Sequence, residues 1–395
     1  MFSLRQLLHT LRDRTSLGLL QLKHDRLRLL TAIAGITFAD VLIFMQLGFA
    51  DALYRTNTQY PRTLQTDLVI ISSQAENFDK LQTFSRRRLY QALDVPGVVT
   101  AEPLYIDSIK WYNPQTQQKT PMLVIGQDPN QVAFNLPAVN QQLDKIQLPN
   151  TVLFDQKSRG HYDQMVQQVQ AGQLVTTEIG KNTVTVAGLF SVGASFADDG
   201  ALITSEDTFL RLFPKRQAGT VSLGLIRLAP GADPEAVQAT LDAYLPDDVQ
   251  VFTNQDYVKF EIDYIQRRSP IGFVFGLGTV MGFIVGTVIV YQVLSTDVNS
   301  HLAEYATFRA MGYRQRYLLG VIFEEALILS VLGFFPSWAI AVGAYQLTAF
   351  ATALPITMPL SRTLLVFVLT LVMCNLSGIV AARRLQAADP ADIFA

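Results

Sequence analysis

Apolar positions in this 395-residue chain gather into four long runs. The first is Leu29–Ala50; about 220 mostly polar residues follow, enough for a folded core of their own. Three more runs come after them, Ile271–Leu294, Ala326–Leu347 and Leu364–Ala382. Each is close to the roughly 20 residues a helix needs to cross hydrocarbon. The spacing predicts a membrane α-helical protein with four transmembrane helices in a 1+3 order and a large external α+β domain between the first two. The predicted divisions are 1–28 an amphipathic segment, 29–50 the first span, 51–269 the external domain with a helical neck, 270–294 the second span and 295–317 an internal segment. Then come 318–347 the third span, 348–362 a short external loop, 363–382 the fourth span and 383–395 a tail.

An even number of crossings puts both termini on one side. Arg5, Arg12, Arg14, Lys23, Arg26 and Arg28 precede the first span, Arg309, Arg314 and Arg316 follow the second, and Arg383 and Arg384 follow the fourth. Only Arg362 lies between the third and fourth. By the positive-inside rule the termini are cytoplasmic; Arg55, Arg267 and Arg268 oppose this but flank a long domain, where the rule is weak. The first run is too long for a signal peptide and lacks a small-x-small cleavage site, so it reads as an anchor.

Within the external region, β-branched and aromatic residues mark strands at Asp67–Ser72, Val98–Tyr112, Met122–Gly126, Thr151–Asp155, Thr183–Phe190 and Thr220–Leu228. Asp233-Pro234-Glu235 is a helix start, with a capping side chain, proline at the first position and an acid in the first turn; Val237, Leu241 and Leu245 follow at helical spacing. Ser205-Glu206-Asp207 starts another, with Phe209 and Leu212 on one face. The Gln-rich stretch 130–175 suggests a division into two lobes. Residues 51–60 contain no breaker before Pro61, so the first helix projects beyond the bilayer, and residues 254–268 match it; the pattern fits either a rigid neck or ordinary linkers.

Charged residues are 16% of the chain, against about 25% in soluble domains, and 49% are apolar, as suits a chain shared between two solvents. A net charge of −2 argues against nucleic acid. The single cysteine, Cys374, lies in the fourth span, so the external domain has no disulfide and reads as a core-stabilised fold. Around Gly180-Lys181-Asn182, Val175 stands where a phosphate loop needs its first glycine and Asn182 where it needs a hydroxyl. His9, His24, His161 and His301 have no companions at metal spacing, and there is no nucleophile elbow. The chain reads as no enzyme and as holding no cofactor, so energy has to come from a partner.

The internal segment 297–311 offers a place for one. Val298, Leu302, Tyr305, Phe308 and Met311 recur at helical steps, with Asp297, Glu304 and Arg309 elsewhere and Gly312 as the stop. The pattern fits a helix inserted in a groove of a cytoplasmic protein or one lying on lipid. In the second span Gly272, Gly276, Gly278, Gly282 and Gly286 leave a groove for close helix packing, within one subunit or across a dimer. Asp40, in mid-span with no basic residue at its depth, has to face the bundle or a wet cleft; Gln46 and Asn375 are its conceivable neighbours. Glu324 and Glu325 open the third span, where Arg309 and Arg314 are available as partners or headgroup water solvates them.

Glu304-Tyr-Ala-Thr-Phe-Arg-Ala-Met-Gly-Tyr-Arg314, leading into Phe323-Glu-Glu-Ala-Leu327, together with Asp94-Val-Pro-Gly-Val-Val and Ala388-Asp389-Pro390-Ala-Asp-Ile393, resembles the MacB/FtsX-type permeases of ABC transporters over its whole length. Leu17–Arg28 and Phe49-Ala-Asp-Ala-Leu-Tyr54 resemble the cyanobacterial DevC branch. The resemblance implies a homodimeric permease of the bacterial inner membrane, with an external domain in the periplasm and a separate ATPase that binds ATP, since no ATPase domain is fused here. It also implies a periplasmic adaptor, a TolC-like outer-membrane duct and export of glycolipid to the envelope. Segment 297–311 corresponds to the family's coupling helix, carrying that role to Glu304, Tyr305, Phe308, Arg309 and Met311. An FtsX-like transmitter that moves an external partner without cargo shares all these features. A membrane receptor is the third class, and the internal segments are too short for an output domain.

Overall fold

The computed structural model describes residues 26–217, 219–302, 304, 307, 311 and 315–387. Its residues fall into two compact units, one of residues up to Ala50 with Val274–Leu347 and Ile356 onward, the other of Asp51–Phe273 with Thr348–Pro355.

The first unit is helical. Its long helices are Arg26–Thr63, which continues into the second unit, Pro270–Ser300, Gln315–Thr352 and Leu360–Ala387, here the first to fourth spans. All four are long and apolar enough to cross a membrane. Ala32, Ile36, Val290, Leu294, Ala326, Leu329 and Met373 form the seam of the bundle. Leu277, Met281 and Ile284 on the second span, Phe335 on the third and Leu365 and Val372 on the fourth point outward. Apolar side chains on both faces are what lipid-immersed helices require, since lipid is as apolar as the bundle's interior.

The second unit is built on eleven strands: β1 Leu68–Ser72, β2 Phe84–Ser85, β3 Val98–Tyr112, β4 Lys119–Gln127, β5 Thr151–Asp155, β6 Val175–Ile179, β7 Asn182–Phe190, β8 Ala201–Ser205, β9 Thr220–Val221, β10 Leu223–Leu228 and β11 Val249–Thr253. The main sheet runs β11-β1-β10-β3-β4-β8-β5-β7-β6. Its pivot is the 15-residue β3. From Val98 to Leu104 it pairs antiparallel with β10, and from Tyr105 to Tyr112 antiparallel with β4. Trp111 also bridges Ile179 of β6, so β3, β4, β8, β5, β7 and β6 close on themselves. Where β10 leaves β3, the Ser222 hydroxyl replaces the missing ladder: it accepts from Ile106 N at 2.9 Å and lies 3.0 Å from Ile106 O. A buried backbone pair without a partner strand needs such a substitute.

Local signals gave the helix starts. The Asp233 side chain accepts from Glu235 N at 3.1 Å at the head of helix Pro234–Tyr244, whose Val237 and Leu241 are buried. Ser205 caps helix Glu206–Leu212 through Thr208 N at 3.3 Å, and Phe209 and Leu212 point inward. Strands β2, β6, β8 and β11 were not anticipated. In β8 all five residues are buried, because it lies between β4 and β5, and a strand covered on both faces loses its alternation. The expected division within 130–175 is absent: that stretch contains β5, buried throughout between β7 and β8. The sheet changes hands along β3 instead.

Residues 51–63 continue the first span as helix, and Thr253 caps helix Asn254–Arg267 through Asp256 N at 3.1 Å. Tyr60 stacks on Phe78 with ring centroids 5.9 Å apart. Phe78 N donates to Glu261 Oε2 at 3.1 Å, so both helices grip one loop. Glu261 is fully buried, and burial first, with the Phe78 bond opposing and the Asp79 charge adding, pushes its carboxyl up to about 8. In the unfolded chain it titrates at its ordinary 4.5. Across that interval the folded state holds a proton the unfolded state has released, so this group costs stability progressively as pH rises from 4.5 toward 8. Glu261→Gln is expected to flatten the fall in melting temperature over that range, measured by thermal unfolding of the detergent-purified chain; an unchanged slope would refute the assignment.

Candidate functional site

The expected coupling segment begins as a continuation of the second span, whose helix runs to Ser300. Leu302, Glu304 and Thr307 are also helical, and Met311 N donates to Thr307 O at 3.0 Å in a closing turn. Glu304 and Met311 are exposed, while Tyr305, Phe308 and Arg309 lie outside the described residues, as does Arg314. Asp297, read from sequence as part of the polar face of this helix, is instead 3% exposed and turned into the bundle.

There it meets the first span. Arg28 Nη1 lies 3.0 Å from Asp297 Oδ1, and Arg28 Nη2 donates to Ser300 Oγ at 3.3 Å. His301 Nδ1 lies 3.5 Å from the same carboxylate oxygen. Glu325 of the third span, 1% exposed, lies near enough to Asp297 for the two charges to act on each other. Among the described residues no donor reaches either oxygen of Glu325, or Oδ2 of Asp297. Two buried carboxyl groups and one guanidinium thus join three helices beside the start of the coupling segment. Charged groups withdrawn from water hold their place only through such mutual contacts. Of the two glutamates that open the third span, Glu324 is half-buried and Glu325 takes the inward position. Arg28 was read only as an orientation charge. The signal for Asp297 was present: Val290, Val293, Leu294 and Val298 are the buried face of the second span, and position 297 falls on it at helical spacing.

Asp40 is fully buried in the first span. Thr370 Oγ1 of the fourth span lies 3.0 Å from both its oxygens and Ser337 Oγ of the third lies 3.3 Å from Oδ2. Neither expected neighbour contacts it. Asn375 donates to Leu371 O of its own helix at 2.7 Å, and the Gln46 side chain lies against Gly278. Hydroxyls reach the carboxyl because they sit on the small-residue faces where helices come closest. The opposite end of the bundle carries Arg362, 7% exposed, which donates to Thr357 O at 2.7 Å and has its guanidinium 5.7 Å from the Tyr345 ring; the Tyr345 hydroxyl in turn donates to Phe44 O.

The glycines separate. A side chain at Gly278, Gly282 or Gly286 would strike Gln46, Ile43 or Ala39 of the first span, so these three positions form an internal seam. Gly272 faces the Ile265 carbonyl, and Gly276 has open space beside it. No group of three or more metal-ligating side chains occurs among the described residues.

Two family descriptions match this chain. Residues 29–244 match the MacB-like periplasmic core domain, and residues 273–390 match the FtsX-like permease C-terminal region. The chain belongs to the MacB/FtsX family of ABC transporter permeases. Members of this family are membrane-spanning subunits that work with a partner ABC ATPase, and the mixed unit is the permease's periplasmic domain. No curated protein matches the chain. Among solved structures, the periplasmic region of MacB from Actinobacillus actinomycetemcomitans is similar at 11% identity, covering 51% of this chain and 94% of that one, with a TM-score of 0.33. The extracellular domain of the ABC-type transporter YknZ from Gram-positive bacteria is similar at 10% identity, covering 48% of this chain and 100% of that one, with a TM-score of 0.30.

In this permease, Thr370→Val is expected to cost about 1–3 kcal/mol, the usual cost of depriving a buried polar group of its partner, while Thr370→Ser costs much less. Denaturant unfolding of the micellar protein measures both, and equal losses would remove the hydrogen bond as the cause.

Proposed function

We propose that this permease is the membrane subunit of an ATP-driven exporter whose separate ATPase binds at residues 297–311 and whose periplasmic domain moves in response. The termini are cytoplasmic, the chain acts as a homodimer, and Gly276 marks the open face of the second span where another helix can approach. DevC-like motifs at Leu17–Arg28 and Phe49–Tyr54 favour export of glycolipid or another hydrophobic envelope cargo, through a periplasmic adaptor and a TolC-like duct.

The observation that carries this reading is the Arg28–Asp297 ion pair at 3.0 Å, backed by Glu325. It ties the foot of the first span to the residue from which the coupling segment departs. That same first helix runs to Thr63, where Tyr60 enters the periplasmic core. A displacement of segment 297–311 therefore acts on a helix that has residues in both units. Glu304 and Met311, both exposed, are available to the ATPase, and Tyr305, Phe308 and Arg309 are assigned to the same contact.

Affinity purification of the tagged chain from membranes is expected to bring down an ABC ATPase, and Phe308→Ser and Met311→Ser to release it with the permease still in the membrane. Retention of the ATPase by both variants would sink the coupling role. Mass spectrometry of co-purified lipid and protein is expected to show glycolipid and an adaptor; an ATPase with a periplasmic enzyme and no lipid cargo would instead indicate an FtsX-like transmitter.

A further inference from the structure

The periplasmic domain holds a cavity of about 770 Å³ where β10 parts from β3. That volume is in the range of small-molecule sites. One part of its wall is apolar, from Phe78, Leu81, Ile106, Leu123, Leu212 and Phe213. The rest carries charge, from Asp79, Asp107 and Asp198 against Lys215 and Arg216.

These charges do not cancel in place. Arg216 is already committed: its guanidinium lies 3.9 Å from Asp107, donates to Ile106 O at 3.2 Å and to Ser222, and stands 5.2 Å from the Phe209 ring. Its side chain is only 7% exposed, so it cannot swing to another partner. Asp107 is thereby balanced, and Lys215 is solvent-exposed. Asp198, 7% exposed, accepts from Ser108 through Oδ1, and no donor among the described residues reaches its Oδ2. No side-chain or backbone donor among them reaches the Asp79 carboxyl either. The charges acting on these two groups are those of other carboxylates: Asp198 on Asp79, and Asp199 and Asp107 on Asp198. Burial, opposed by the Ser108 bond and aided by the Asp199 and Asp107 charges, raises the Asp198 carboxyl, while Asp79 stands exposed at the cavity's rim. A cavity whose apolar wall adjoins carboxyl groups that lack a cation favours a ligand that brings one.

We propose that this cavity binds an amphipathic organic cation, an amine or guanidinium carried on an apolar body, with its charge between Asp79 and Asp198 and its body against Phe78, Leu81, Ile106 and Phe213. Water alone fits less well, because half the wall offers it no hydrogen bond, and an anion is repelled by both carboxylates. The wall nearest the charge is the loop carrying Phe78 and Asp79, which is the loop held by Tyr60 and Glu261. An occupant therefore presses on the residues to which both neck helices are fastened. The site stands independently of whether the permease moves glycolipid.

The full chain in lipid nanodiscs, titrated calorimetrically at neutral pH with 4-phenylbutylamine and with empty nanodiscs subtracted, tests it. The amine is expected to bind one per chain, and the isosteric alcohol 4-phenylbutan-1-ol at least ~10-fold more weakly. Asp79→Asn and Asp198→Asn are each expected to weaken the amine at least ~10-fold. Asp79 lies on an exposed turn, so its variant decides the matter should Asp198→Asn fail to fold. Equal binding of alcohol and amine, an amine affinity untouched by Asp79→Asn, or no saturable binding of the amine would each overturn the proposal.

Discussion

Among the described residues of the helical unit, the buried Asp297, Asp40 and Arg362 are each held by a residue of another helix. Arg28, Asp297 and Glu325 meet across three spans, Asp40 takes its hydrogen bonds from the third and fourth, and Arg362 rests against Thr357 and Tyr345. In hydrocarbon the apolar side chains give helices little reason to prefer one register over another, because lipid competes on equal terms. Polar contacts do discriminate, since a misplaced carboxylate is left unpaired at a cost of several kcal/mol. The register of this bundle rests on those contacts, and the glycines at 278, 282 and 286 then let the first and second spans close upon each other.

The periplasmic domain solves a different problem with the same economy. A single strand, β3, changes partner from β10 to β4 along its length, and the junction is finished by Ser222 and Arg216 bonding to Ile106 in place of a strand. Where β10 leaves β3 the strand is uncovered, and the cavity lies there. The buried Glu261 lies at the meeting of helix Asn254–Arg267 with the Phe78 loop. Burial holds its carboxyl neutral at neutral pH although the bond it accepts from Phe78 N favours the charged form, so desolvation is the larger effect at the neck.

Permeases of this family work with a partner ABC ATPase, and on the coupling proposed above that work enters through residues that are accessible yet connected to the bundle. The region from Asp297 to Met311 meets both conditions at its ends: Asp297 is anchored to Arg28, and Glu304 and Met311 are exposed. The anchor matters as much as the exposed surface, because a lever transmits force only if its near end cannot slip.

The sequence by itself determined the four spans, the α+β domain between the first two and the helix starts at Asp233 and Ser205, since each follows from hydrophobic period and capping within a few neighbouring residues. It also singled out Asp40, because a lone carboxylate in an apolar run has to be accommodated. Its partners were another matter: Thr370 lies 330 positions away and Arg28 lies 269 from Asp297. Which of two adjacent glutamates turns inward, where β8 inserts, and whether a glycine seam faces its own chain were decided only by the tertiary structure. Those choices depend on surfaces brought together from distant parts of the chain, and periodicity records how a face is made without recording what covers it.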